Sequence, residues 1–133
     1  MLYGGDMVVG TGIDIAEVAR IASAMERFGK RFIERVFTEG EIQYCQSKAN
    51  KIERYAARFA AKEAGMKAIG TGWNRGVRWR DIEVQRMPGG RPTLVFHGSA
   101  KGFFEQLGAT RAHLSLTHTK DSAMAFVVLE NSG

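Results

Sequence analysis

The sequence predicts one α+β domain, with helices filling most of its first half and antiparallel strands its second. Three observations lead there. Apolar residues recur at helical spacing across residues 18–69, with short polar breaks. Beyond residue 78 the pattern changes to strict alternation punctuated by turn residues. No linker or internal repeat divides the 133 residues, a length suited to one hydrophobic core. Helices followed by strands are the order of an α+β domain, not of a doubly wound α/β fold.

The elements follow in order. Residues 7–15 read as a strand with Met7, Val9, Thr11, Ile13 and Ile15 on one face and Asp14 on the other. Val18, Ile21, Ala22, Met25 and Phe28 then mark a helix that Gly29 stops. A short basic helical turn covers residues 30–37. Thr38 with Glu41 three residues on is a capping box that starts the next helix. After the polar residues 47–51, helical periodicity runs to about Ile69, where Gly70 and Gly72 end it. Residues 78–86 alternate, residues 87–92 (Met-Pro-Gly-Gly-Arg-Pro) form a turn, and residues 93–97 return. Ser99 is placed to cap a short helix carrying Phe103, Phe104 and Leu107, closed by Gly108. Residues 111–119 and 122–130 read as two strands about a Lys120-Asp121 turn.

Composition narrows the class of function. The apolar and charged fractions are those of an ordinary globular protein, and no apolar stretch is long enough to span a bilayer. Residues 7–15 have neither the basic lead nor the cleavage site of a signal peptide. The single cysteine, Cys45, cannot pair internally, so a reducing cytoplasm is the expected compartment. Nineteen Lys and Arg against 14 Asp and Glu leave a formal charge of +5, which favours anionic partners without choosing among them.

One residue breaks its pattern. Cys45, Ala49, Ile52, Ala56, Phe59, Glu63 and Met66 fall on one helical stripe, and only Glu63 is charged. An unpartnered buried charge costs about 3–5 kcal/mol. Glu63 must therefore be protonated, paired or bound to a metal. A surface bridge to Lys67, four residues on, is one reading, and a stripe that frays and leaves Glu63 exposed is another. Asp14 is a second carboxylate in an apolar, glycine-rich setting, although it could equally cap the helix that follows. Two such carboxylates can also meet as the protein ligands of Mg²⁺, which typically takes one or two carboxylates plus phosphates and water. Cys45 and the three histidines have no zinc spacing. Arg58, Lys62 and Lys67 surround Glu63 in sequence, a setting suited to a Mg²⁺–pyrophosphate group or simply to a solvated helix face.

Other signals are weaker. His118 lies on the apolar parity of its strand, where a histidine is usually a core residue. Gly70-Thr71-Gly72 matches neither a Walker A nor a Rossmann pattern. A small basic nucleic-acid-binding module is the competing class. The charge and two tryptophans permit it, but the basic residues do not gather on one aromatic strand face and no RNA-binding signature is present.

Several segments together resemble one family. They are Gly12-Ile13-Asp14-Ile15 with Arg20-Ile21, Arg58-Phe59-Ala60-Ala61-Lys62-Glu63-Ala64 with Lys67, Gly70-Thr71-Gly72, Asp81-Ile82-Glu83-Val84, Gly90-Arg91-Pro92 and Leu116-Thr117-His118-Thr119. In order and spacing they resemble the small trimeric holo-acyl-carrier-protein synthases of the 4′-phosphopantetheinyl transferase superfamily. The resemblance spans nearly the whole chain, and its central helix motif is the specific part. It implies an antiparallel sheet packed on a long central helix with additional short helices. It also implies transfer of phosphopantetheine from coenzyme A to a serine of apo-acyl carrier protein. By the same resemblance Asp14 and Glu63 bind Mg²⁺, and Glu63, Lys67 and Asp14 carry the catalysis. Arg58, Lys62, Lys67, His118 and Thr119 lie around coenzyme A, and Arg20, joined by Arg27, meets the carrier. The family's habit further implies a homotrimer with active sites between subunits, with neither nucleic acid nor membrane as a partner. Residues 1–5 precede the family's usual start and read as a flexible lead. Phe59 stands where the family's pattern admits Trp, and residues 73–75 fill a variable loop. A non-catalytic relative would not be expected to keep Asp14, Glu63 and Lys67 intact.

Overall fold

The computed structural model describes residues 6–72 and 74–132, so the expected lead and Trp73 lie outside the described residues. An 18-residue helix, α4 (Lys51–Ala68), runs through the centre. Before it come β1 (Met7–Glu17), α1 (Val18–Phe28), α2 (Lys30–Val36) and α3 (Glu39–Gln46). After it come a 3₁₀ turn (Trp79–Asp81), β2 (Ile82–Arg86), β3 (Pro92–Phe96), α5 (Gly98–Gln106), β4 (Arg111–His118) and β5 (Ser122–Asn131). No helix among the described residues is long and apolar enough to cross a membrane.

Helix α4 is rich in alanine, the strongest helix former, and alanine also lets neighbours come close. An antiparallel sheet in the order β1-β5-β4 covers one side of it, through Ala123, Ala125, Val127 and Leu129 of β5 and Leu114 of β4. The β2-β3 hairpin closes another side with Ile82, Val84, Leu94 and Phe96. Gly65 of α4 lets Ile82 and Leu94 sit against the helix. As a result α4 is buried nearly all round, and even Arg58 and Lys62 are inside.

The faces of β1 are the reverse of those its apolar alternation suggests. Ile13 and Ile15 are 52% and 55% exposed, whereas Gly12 and Ala16 are buried and Asp14 is half-buried. The reason is proximity. A Cβ on Gly12 would stand 1.9 Å from the Ala64 carbonyl oxygen, and one on Gly10 would stand 2.3 Å from that of Ala68. At Gly10 and Gly12 the strand backbone lies directly on the helix and leaves no room for a side chain, and the isoleucines point away. They join Met124 and Phe126 on an open apolar sheet face, since Ile13 pairs with Phe126 and Ile15 with Met124. A bulge between Val8 and Gly10 sets this register.

Smaller differences are local. The strand expected over residues 78–86 begins with the 3₁₀ turn, and α5 is capped at His97, leaving Ser99 inside its first turn. The Thr38–Glu41 capping box forms as its spacing predicts.

Candidate active site

The contact between β1 and α4 brings Asp14 beside the row on α4 that carries Glu63 and Lys67. Ala64 and Ala68, one residue further along the helix in each case, are the ones that meet Gly12 and Gly10. The Ile15 amide donates to Asp14 Oδ1 at 2.8 Å, which fixes the carboxylate at the end of the strand. Lys67 Nζ lies 3.5 Å from Asp14 Oδ2 and donates to the Ile13 carbonyl at 3.1 Å. Asp14 does not cap α1; that position is Glu17, which makes no side-chain cap. Burial and then the charge of Asp14 push the Glu63 carboxyl up from 4.5 to about 7, while Lys67 and Arg20 pull it part of the way back. Glu63, Asp14, Lys67 and Arg20 thus form one coupled group.

Two half-buried carboxylates at close quarters repel unless a cation or a proton lies between them. This donor set suits a hard divalent ion such as Mg²⁺, provided that phosphate and water complete the shell. Among the described residues no cluster of three or more acidic, His or Cys side chains is placed to hold a metal by itself.

The remaining cations do not join this group. Lys62 is fully buried and its side chain is 0% exposed. Its ammonium meets Glu41 Oε1 at 2.7 Å and donates to the carbonyls of Ile82 at 2.6 Å and Trp79 at 3.2 Å. All three protons are used inside the fold, so the expectation that Lys62 holds a phosphate is corrected: it ties α4 to α3 and β2. Glu41, legible only as half of a capping box, is its counter-ion, and its second oxygen accepts from the Val84 amide at 2.7 Å. Arg58 is five residues from Glu63, which on a helix is about 140° round and about 7.5 Å along. It therefore belongs to a second cluster. The stripe that singled out Glu63 also breaks, because Cys45 lies in α3 and Ala49 in the connection to α4.

That second cluster forms where α3, α4, the hairpin and the end of β4 meet. His118 is half-buried, its Nδ1 3.0 Å from Glu53 Oε1. It shares a cavity of roughly 220 Å³ with Tyr44, Arg54, Arg58 and Arg86. Thr119 is exposed next to it, and its hydroxyl accepts from the amides of Asp121 and Ser122 to shape the turn. Tyr44, Arg54 and Arg86 gave no signal in the sequence, since a tyrosine and two arginines on three separate elements have no shared period.

Arg20 and Arg27 are exposed on α1, seven residues apart and so on one face. Beyond them the sequence reading missed an apolar groove of roughly 500 Å³ formed by Phe28, Phe32, Val36, Phe59 and Trp79 and edged by Arg31 and Arg35. Its signal was present as the basic, aromatic run at residues 27–37.

Residues 10–127 match the sequence profile of the 4′-phosphopantetheinyl transferase superfamily. The chain belongs to that family. It is 62% identical over 125 residues to a holo-[acyl-carrier-protein] synthase of Koribacter versatilis, covering 94% of this chain and all of that one. The crystal structure of the holo-[acyl-carrier-protein] synthase from Neisseria meningitidis superposes with a TM-score of 0.84 at 33% identity, covering 92% of this chain and 98% of that chain. The one from Bacillus anthracis, in complex with CoA (3′,5′-ADP), gives 0.77 at 39% identity over 95% of this chain and 99% of that chain. The phosphopantetheinyl transferase fold expected from the sequence is the fold observed.

Proposed function

We propose that this phosphopantetheinyl transferase moves the 4′-phosphopantetheine arm of coenzyme A onto a serine of apo-acyl carrier protein, releasing adenosine 3′,5′-bisphosphate, with Mg²⁺ held by Asp14 and Glu63. The observation that carries the mechanism is the seating of Asp14 against Glu63 and Lys67 by the glycines of β1. When bound, the ion supplies positive charge to the pyrophosphate and relieves the repulsion between the two carboxylates.

The rest is done by the chain's own side chains. The carrier serine oxygen attacks the β-phosphorus of coenzyme A, and the bond from that phosphorus to the bridging oxygen breaks. Serine is a weak nucleophile at its own pKa, so its proton needs an acceptor. Glu63 would accept it, directly or through a water held beside it. Lys67 neutralises charge on the departing phosphate, and Arg58 with His118 and the neighbouring Thr119 receives phosphate oxygens at the second cluster. Arg20 and Arg27, with the groove beside them, dock the acidic carrier protein. The open sheet face of Ile13, Ile15, Met124 and Phe126 supports a homotrimer, with the two clusters of one active site drawn from neighbouring subunits. The setting is a reducing cytoplasm and the supply of carrier protein to fatty-acid synthesis.

The test is incubation with coenzyme A, MgCl₂ and an apo-carrier, read by intact-mass spectrometry. A single phosphopantetheine adduct that EDTA abolishes is expected, and absence of the adduct refutes the assignment. Glu63→Gln keeps shape and removes the base, and should lower turnover by about 10²–10⁴. Arg27→Glu, outside the carboxylate group, should raise KM for the carrier by about tenfold and flatten its salt dependence, leaving KM for coenzyme A unchanged.

A further inference from the structure

Tyr44 sits at the centre of four cations. The Arg58 guanidinium lies 4.1 Å from its ring centroid, Arg86 4.9 Å and the Lys48 ammonium 5.0 Å. Its hydroxyl accepts from Arg86 at 3.1 Å and from Arg54 at 3.4 Å. Cations brought this close repel one another, and a ring face with one phenol oxygen only partly offsets that. Arg58, Arg54 and Arg86 line the same small cavity as His118; the carboxylates bordering the cluster are Glu53, held by His118, and Glu83, held by Thr38 and His97 in the adjoining pocket, and neither makes an ion pair with these arginines among the described residues. Arg58 is 3% exposed, and its Nε is buried without a hydrogen-bond partner among the described residues. Lys62, equally deep on the same helix, has a carboxylate and two carbonyls. A buried guanidinium donor with no acceptor, in a cavity walled by arginines, points to an anion supplied from outside.

We propose that Tyr44 is a positioning residue that gathers Arg54, Arg58 and Arg86, with Lys48 at the rim, into one nest for a phosphate group of the substrate. The inference rests on the activity proposed above and deepens it. The ring fixes the plane of the Arg58 guanidinium, so its fork is already aimed when the phosphate arrives, and the phenol oxygen spaces Arg54 from Arg86. Tyr44 touches no reacting atom. It acts through the arginines.

The phosphate could be the terminal phosphomonoester of coenzyme A or its pyrophosphate bridge, and kinetics with coenzyme A and with 3′-dephospho-coenzyme A separate the two. Tyr44→Leu is expected to raise KM by about tenfold or more while kcat stays within about threefold, the pattern of lost binding as opposed to lost chemistry. If the rise occurs only with coenzyme A, the phosphomonoester is the group held; if with both, it is the pyrophosphate. Tyr44→Phe keeps the ring and should recover most of the affinity. An unchanged KM for both substrates, or a fall in kcat at constant KM, overturns the proposal. A second measurement does not depend on turnover. Inorganic phosphate, against chloride at matched ionic strength, should raise the melting temperature of the parent and of Tyr44→Phe but not of Tyr44→Leu, and equal shifts in all three proteins overturn it. If the parent makes no adduct yet shows the phosphate shift that Tyr44→Leu loses, the proposed activity falls and the nest stands.

Discussion

Lys62 and Arg58 are both buried on α4, yet they differ in what answers their charge. Lys62 has its full complement of acceptors, so removing it should unfold the protein before it affects chemistry. Lys62→Ala leaves the buried Glu41 charge with two amide donors but no counter-ion, and urea denaturation should show a loss of about 3–5 kcal/mol. Pairing Lys62→Met with Glu41→Gln should recover part of it. Glu63 gives a pH signature. Folded, it titrates at about 7, against 4.5 for the ordinary carboxyl. Between those values the folded chain keeps a proton that the unfolded chain has lost. Its contribution to stability is therefore complete below 4.5 and is lost as pH rises through about 7. The full shift corresponds to about 3 kcal/mol, which solvent screening at this half-buried position cuts to about 1–2. Melting curves in chelator should fall in temperature as pH rises from about 5 to 8, and Glu63→Gln should remove that slope.

The elements that were legible in advance are those whose signals are local. The Thr38–Glu41 box, the Gly29 stop and the glycine turn after Arg86 depend on residues within a few positions of one another. The faces of β1 depend on a helix some fifty residues away, and alternation alone could separate the two faces without saying which one meets the core. Asp14 and Glu63 could be found because a carboxylate in an apolar run is anomalous wherever the chain goes. Lys62 and Arg58 could not be told apart, because α4 has hardly any solvent side against which to judge a basic residue. Close approach is also where β1 is most vulnerable. Gly12→Ala drives a methyl into the Ala64 carbonyl, and we expect a loss of about 3 kcal/mol in chemical denaturation. The displaced strand should carry Asp14 away from Glu63, so the pH slope of the melting curve should shrink with it.

At the scale of the whole molecule, the open sheet face is a feature that the chain does not satisfy by itself. Four large apolar side chains in cross-strand register make a surface of the kind that marks an interface. Phe126→Asp lies outside both side-chain clusters, and light scattering should find it reduced from the proposed trimer to a monomer. On the proposed sharing of active sites between subunits, its transfer activity should vanish even though the monomer stays folded by circular dichroism. The strand that lines this face also places a further demand on the gene. Side chains along β1 alternate, so Asp14 points one way only because Ile13 and Ile15 point the other. Deleting or inserting one codon within residues 11–15 would exchange the two sets, turning branched isoleucines toward α4 and the carboxylate outward. A change of two codons would preserve the parity. Length variation in this part of the chain should therefore come in even steps, or fall before Gly10, where the bulge has already absorbed one odd residue.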